Sequence, residues 1–251
     1  MISSVRAQTQ TAIDYPRRMA APVFVLGGSQ TDFSRHYARE KRTLIDAIGD
    51  ALAGALADTK LEAEAIQSAH VGNFCGELFT GQGQLGGALS IVEPRLYGVP
   101  AMRHEAACAS GGVSVLAAMA EIEAGRYDCV LVVGAEMERN VSGTECARHH
   151  DCFSMSEYMA IDHFGITPPG ESYRAIESGE LARTGKMPMN PSGGLIGGGH
   201  PVGATGVRMV FDAAKQVAGR AGDMQVEGAT RVGTLNIGGS TTTTVAMVIG
   251  V

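Results

Sequence analysis

After a polar N-terminal stretch over residues 1–19, apolar positions fall into alternating strand-like and helical runs. Residues 22–28 read as a first strand. Over 43–56, Leu44, Ile45, Ile48, Leu52 and Leu56 share one face at the spacing of an amphipathic helix. Residues 69–74 read as a second strand, 81–92 as a Gly- and Ala-rich helix, and 100–105 as a short third strand. An apolar helical pattern begins just past Cys108 and closes at Gly125, and 129–136 follows as a strand buried on both faces. Strands alternating with helices imply parallel pairing and an α/β layered fold.

Beyond Glu136 the period is lost until a helix-like stretch at 156–164, broken by 165–170, and a short helix at 173–181. The dense glycine run over 190–206 demands unusual backbone angles and close approach of main chain to a neighbour. It opens a helix over 205–218, with Val207, Val210, Phe211 and Ala214 inward and Gly219 at its end. Residues 231–237 and 242–251 read as an antiparallel hairpin around Gly238-Gly239-Ser240.

The 251 residues suffice for one large α/β domain or two smaller halves. A formal net charge of −6 argues against general nucleic-acid binding and against an anionic membrane surface. It leaves room for an anionic small molecule on a local basic patch. The five cysteines are odd in number and lack a CxxC pair, which fits a reducing cytoplasmic setting. No apolar run approaches the roughly 18 residues of a membrane span. The stretch 1–19 lacks the apolar core of a secretory signal, so residues 1–20 are expected to be a flexible tail. Its Arg6, Arg17 and Arg18 leave a transit-like role open.

Cys108 stands among small residues in Glu105-Ala106-Ala107-Cys108-Ala109-Ser110-Gly111-Gly112. At the start of a helix a thiol feels the positive end of the macrodipole, which favours the nucleophilic thiolate. The same pattern also fits a small buried cysteine. His200, isolated in the glycine run, is placed either to accept a thiol proton or to cap a turn. The run itself matches neither a Walker A loop nor a dinucleotide fingerprint.

His149-His150-Asp151-Cys152 has ligand-type side chains, but contiguous residues seldom converge on one ion. No metal is expected; one His and the Cys are read as projecting into a pocket. Asn236, with the backbone N–H groups of Gly238 and Gly239, reads as half of an oxyanion hole or as a plain hairpin turn. Met155 either lines an acyl pocket or fills core, and Ser192 and Gly193 are expected to touch substrate.

Taken together, Cys-Ala-Ser-Gly-Gly at Cys108, His-Asp-Cys-Phe at His150, Gly-His-Pro-Val-Gly-Ala-Thr-Gly at His200 and the terminal Asn-Ile-Gly-Gly-Ser resemble the thiolase family, acetyl-CoA acetyltransferases included. The His-Asp-Cys-Phe form resembles its sterol-carrier-protein branch. The resemblance runs from residue 22 to the C-terminus. It implies an α-β-α-β-α layered fold of two related halves, here 21–149 and 150–251. It also implies a Cys108 nucleophile, His200 as its proton acceptor, and His150 supporting the same oxyanion site. Cys152 would serve as acid/base at the α-carbon, since Asn236 stands where most of the family has a second cysteine. Backbone N–H groups of Cys108 and Gly239 would form a second oxyanion hole. The implied reaction is thiolysis of a 3-ketoacyl-CoA, or the reverse Claisen condensation. Coenzyme A is then a substrate, no cofactor is bound covalently, and the expected assembly is a dimer or tetramer.

The chain is markedly shorter than members of that family usually are, with the shortfall placed between His149 and His150. By resemblance, the lost piece holds the loop domain that grips coenzyme A. Two other functions follow: a non-catalytic fragment or partner subunit, and a related carbon–carbon lyase or CoA-independent acyltransferase working with an accessory subunit.

Overall fold

The protein is described by a computed structural model over residues 22–137, 154–239 and 242–251. Helix α1 (Leu44–Thr59) starts at Thr43, whose hydroxyl accepts from Asp46 N while Asp46 accepts from Thr43 N, and it stops at left-handed Lys60. Leu44, Ile48 and Leu52 are buried along one face, each contributing roughly 1.5–3 kcal/mol of transfer free energy. The Gly-rich helix expected over 81–92 is the shorter α3 (Leu85–Val92), and a separate short helix α2 (Gly76–Thr80) precedes it and ends at left-handed Gly81.

Strands β1 (Ser68–Gly72), β2 (Ala101–His104) and β3 (Val130–Gly134) form a parallel sheet in the order β2-β1-β3. Ala69 and Val71 turn one face of β1 into the core with α1 and α3, burying Ile48, Leu85 and Leu89. The alternate residues His70 and Gly72 face α4 (Ser110–Glu123) and α8 (Val202–Val217). Beyond those helices lies the antiparallel hairpin β4 (Arg231–Gly238) and β5 (Thr243–Gly250). The described residues thus stack as helices, sheet, helices, sheet. Helices α5 (Ser154–His163) and α6 (Ser172–Glu177) pack together around Ile161, Ala175 and Leu181, a cluster separate from the main core. No helix among the described residues is long and apolar enough to cross a membrane.

Two expectations are corrected. Residues 22–28 form no strand; they run along α1, tied by Gly28 N to Asp58 Oδ2 at 3.0 Å and Ser29 Oγ to Ala51 O at 2.7 Å. Strand propensity needs a ladder partner, and none is in register there. Nor is 129–136 buried on both faces: Val130, Leu131 and Val132 are only half-buried and line a cleft of about 1100 Å³, and among the described residues β3 pairs only with β1. That cleft is also lined by Phe24, Leu26 and Val248, which are 73%, 61% and 74% exposed.

Between the sheet and α4, fully buried His70 forms a relay. Its Nε2 lies 3.0 Å from Glu121 Oε2 and its Nδ1 lies 2.7 Å from His104 Nε2. Donation of Nε2–H to the carboxylate leaves Nδ1 to accept from His104. Burial and the neighbouring His70 hold the His104 imidazole below the ordinary histidine range. Burial alone would raise the Glu121 carboxyl, but hydrogen bonds from His70 and Ser68 outweigh it and hold that group low. A base depressed in the folded state is protonated first in the unfolded chain. Its stabilisation is therefore present above the ordinary histidine pKa of about 6.5 and is lost as pH falls toward the depressed value. The urea midpoint is expected to drop between pH 7.5 and 5.5, with a shallower drop in His104→Gln; parallel pH dependences would contradict this.

Candidate active site

The chain leaves β2 and folds into a tight turn over Ala106-Ala107-Cys108-Ala109 before entering α4. Ala109 N donates to Ala106 O at 2.9 Å and Ser110 N to Ala107 O at 3.0 Å. Ser110 Oγ donates to Ala107 O and accepts from Ala106 N, locking the turn from within. Ala107 sits at φ +47°, a left-handed conformation that costs a non-glycine residue about 1–2 kcal/mol. Half-buried Cys108 therefore rides the crest of a strained turn, two residues ahead of a fourteen-residue helix whose dipole favours its thiolate.

The hairpin braces this turn from behind. Asn236 Nδ2 donates to Cys108 O at 2.9 Å, and Asn236 Oδ1 accepts from Gly112 N at 3.2 Å. One end of that buried amide holds the turn and the other the first turn of α4, so its side chain acts here as a brace. Gly238 presses on the same backbone: a methyl there would stand 2.8 Å from Ala109 N. Gly239, left-handed at φ +56°, lies against Ala107.

Helices α4 and α8 cross backbone to backbone. A methyl on Gly111 would lie 2.9 Å from Gly203 O and 3.0 Å from Gly206 N. One on Gly206 would lie 2.3 Å from both Gly112 N and Asn236 Oδ1. Gly111 follows Cys108 by three residues and Gly203 follows His200 by three, so the crossing brings these two stretches of chain together.

His200 sits in the loop ahead of α8, which starts at Val202, earlier than the sequence pattern suggests. Thr205 Oγ1 lies 2.6 Å from His200 Nδ1 and donates to Pro201 O at 3.1 Å. With its proton committed to that carbonyl, the Thr205 oxygen accepts Nδ1–H, which makes Nε2 the basic nitrogen. The loop is held from beneath by Arg208, 7% exposed, whose Nη1 donates to Gly199 O and Nη2 to Gly194 O. Burial lowers that guanidinium from its usual value. Glu136, at the end of β3, accepts from Asn73, Phe74, Cys75 and Gly203. Burial pushes its carboxyl above the ordinary range, against the pull of those backbone N–H groups.

Of the residues expected from sequence, Cys108, Asn236 and Gly239 meet at one turn, with the His200 loop joined through the helix crossing. Ser192 and Gly193 head the glycine run before the short helix α7 (Gly194–Gly198). Met155 lies on α5, 62% exposed, in the layer that packs on α6. His150 and Cys152 lie outside the described residues. Thr205, Arg208 and Glu136 were not anticipated; a charge directly after an apolar strand, as at Glu136, was the one available signal.

The Thiolase N-terminal domain model matches residues 23–165, and the Thiolase C-terminal domain-like model matches 136–251. Among curated relatives, an Acetyl-CoA acetyltransferase of Methanothermobacter thermautotrophicus is 46% identical over 91 residues, covering 36% of this chain and 24% of that protein. Sterol carrier protein 2 of Gallus gallus is 42% identical over 89 residues, 36% of this chain and 16% of its own length. The Benzoylsuccinyl-CoA thiolase subunit BbsB of Thauera aromatica is 31% identical over 90 residues, 36% of this chain and 23% of its own. The chain thus spans a quarter or less of the length of each of these relatives.

Proposed function

Because the chain belongs to the thiolase family, we propose that it transfers acyl groups between coenzyme A thioesters through a thioester on Cys108. The observation that carries this reading is the placement of Cys108 on a strained turn at the head of α4, crossed by the helix that carries the His200 loop. His200 Nε2 takes the thiol proton, and the thiolate attacks the C3 carbonyl of a 3-ketoacyl-CoA. The C2–C3 bond breaks, its electron pair passes to C2 as the enolate of acetyl-CoA, and an acid protonates that carbon. Cys152 is assigned that acid and His150 an oxyanion contact, both from motif position alone. Coenzyme A thiolate then attacks the acyl group and expels the Cys108 thiolate; the reverse sequence is a Claisen condensation. Backbone N–H groups of Cys108 and Gly239 stabilise charge on the thioester oxygen, a type of contact worth about 2.7–4 kcal/mol.

On incubation with acetyl-CoA or a 3-ketoacyl-CoA, intact-mass and peptide analysis are expected to find one acyl group on Cys108, and Cys108→Ala to carry none. An unmodified Cys108 in a turning-over enzyme, or a fully active Cys108→Ala, defeats the reading.

A second reading has a specific observation behind it. Among the described residues β3 has no second strand beside it, and that edge with the apolar cleft next to it suits a chain that completes its sheet with another polypeptide, as a subunit does. Sedimentation of the purified chain distinguishes the cases. A catalytic homo-oligomer binds coenzyme A by itself in calorimetry, whereas a partner subunit does not.

A further inference from the structure

Helix α8 begins without a cap of its own. Its N-cap residue is Pro201, which offers no side-chain acceptor to the first-turn N–H groups. The missing acceptor comes from 67 residues earlier, where Glu136 Oε2 accepts from Gly203 N at 3.0 Å. The same oxygen accepts from Phe74 N at 2.7 Å, while Oε1 accepts from Cys75 N at 3.2 Å and Asn73 Nδ2 at 3.0 Å. Asn73 in turn donates to Ala135 O and accepts from Gly76 N. One carboxylate thereby joins the ends of β1 and β3 to the first turn of α8. Gly203 has no room to move off this anchor, since a methyl there would lie 2.6 Å from Gly72 O and 2.8 Å from Ala135 O.

We infer that Glu136 is a positioning residue, capping α8 from the sheet and so fixing the loop that presents His200 to the Cys108 turn. This rests on the pairing of Cys108 with His200 proposed above. The carboxylate accepts at both oxygens. Replacing it with an amide removes the charge and turns one of the two acceptors into a donor facing N–H groups, so Glu136→Gln weakens the anchor without changing its size. Arg103, the cation whose charge acts on this carboxylate, is itself bonded to Phe74 O and stays in place.

The test is the pH dependence of iodoacetamide alkylation at Cys108, read by peptide mass spectrometry on the full chain, with thermal melting of each variant alongside. In the wild type the apparent thiol pKa is expected below the ordinary value of about 8.5. His200→Ala should raise it. Glu136→Gln should raise it in the same sense, slowing alkylation at pH 7 by about three- to tenfold. Asn73→Ala removes a donor from the same carboxylate but leaves the Gly203 bond, so it should lower the melting temperature and keep the wild-type profile. Should Glu136→Gln fail to fold, Glu136→Asp, which keeps the charge but withdraws it by a methylene, is read in its place with the same expected shift. A wild-type profile in the Glu136 variant, or an equal shift in Asn73→Ala, overturns the positioning role. An unmoved profile in His200→Ala instead overturns the Cys108–His200 pairing on which it rests.

Discussion

Gly206→Ala is expected to be strongly destabilising. The new Cβ would stand 2.3 Å from Gly112 N and 2.3 Å from Asn236 Oδ1, and 2.8 Å from Gly111 C. None of these belongs to a flexible chain end. Two are backbone of the facing helix, and the third is a buried amide engaged with Gly112 N. Relief requires α4 and α8 to separate, which loosens the Asn236 brace and exposes the packing of both helices. Overpacking commonly costs about 1–3 kcal/mol, and loss of the buried Asn236 bond adds roughly 1 kcal/mol. Against a total stability of about 5–15 kcal/mol, the variant should show a large fall in its urea midpoint. Gly87→Ala is the internal control. It sits within α3 with open space around it, and there alanine should be neutral or stabilising by up to about 1 kcal/mol. A Gly206→Ala protein as stable as wild type would mean that the helices do not cross as closely as described.

His200→Ala should lower thiolysis of a 3-ketoacyl-CoA by about 10²–10⁴-fold, the usual contribution of a positioned general base. The loss should fall mainly on kcat, and the acidic limb of the pH–rate profile should disappear with the imidazole. Thr205→Val offers a finer comparison. It keeps the histidine but deletes the oxygen that accepts Nδ1–H, so the basic lone pair is no longer assigned to Nε2. A smaller loss, about tenfold, is expected, with the acidic limb retained but displaced. Equal activity of His200→Ala and wild type would remove this histidine from the reaction.

How much of this could be read from residues alone depended on the reach of each interaction. Local chemistry was legible. The apolar face of α1, the helix beginning just past Cys108 and the hairpin about Gly238 all lie within a few residues of their causes. The dense glycines correctly signalled close backbone approach, though not the partner they approach. What escaped was set by distant segments. The 22–28 run carries a strand's composition, but pairing is decided by what lies beside it. The exposure of β3 likewise depends on a neighbour absent from its free edge among the described residues. Asn236 read as an amide near a reacting oxygen, whereas its two bonds bind a turn and a helix start far away in the chain. Glu136 gave almost no signal, because its four donors come from β1's end and from α8.

Those long reaches also order events in time. The Cys108 turn is braced by a residue 128 positions later, and the first turn of α8 is capped by one 67 positions earlier. Closing loops of that length is entropically unfavourable before the contacts that reward it exist, so such pairings form late in folding. On the ribosome, β1 to β3 can emerge and pair while Asn236 has yet to be synthesised. Until the hairpin arrives, the left-handed Ala107 is held only by the bonds that Ser110 and Ala109 make within the turn. A chain stopped before β4 is therefore expected to keep the bonds that the Cys108 turn makes within itself and to lack the long-range one from Asn236.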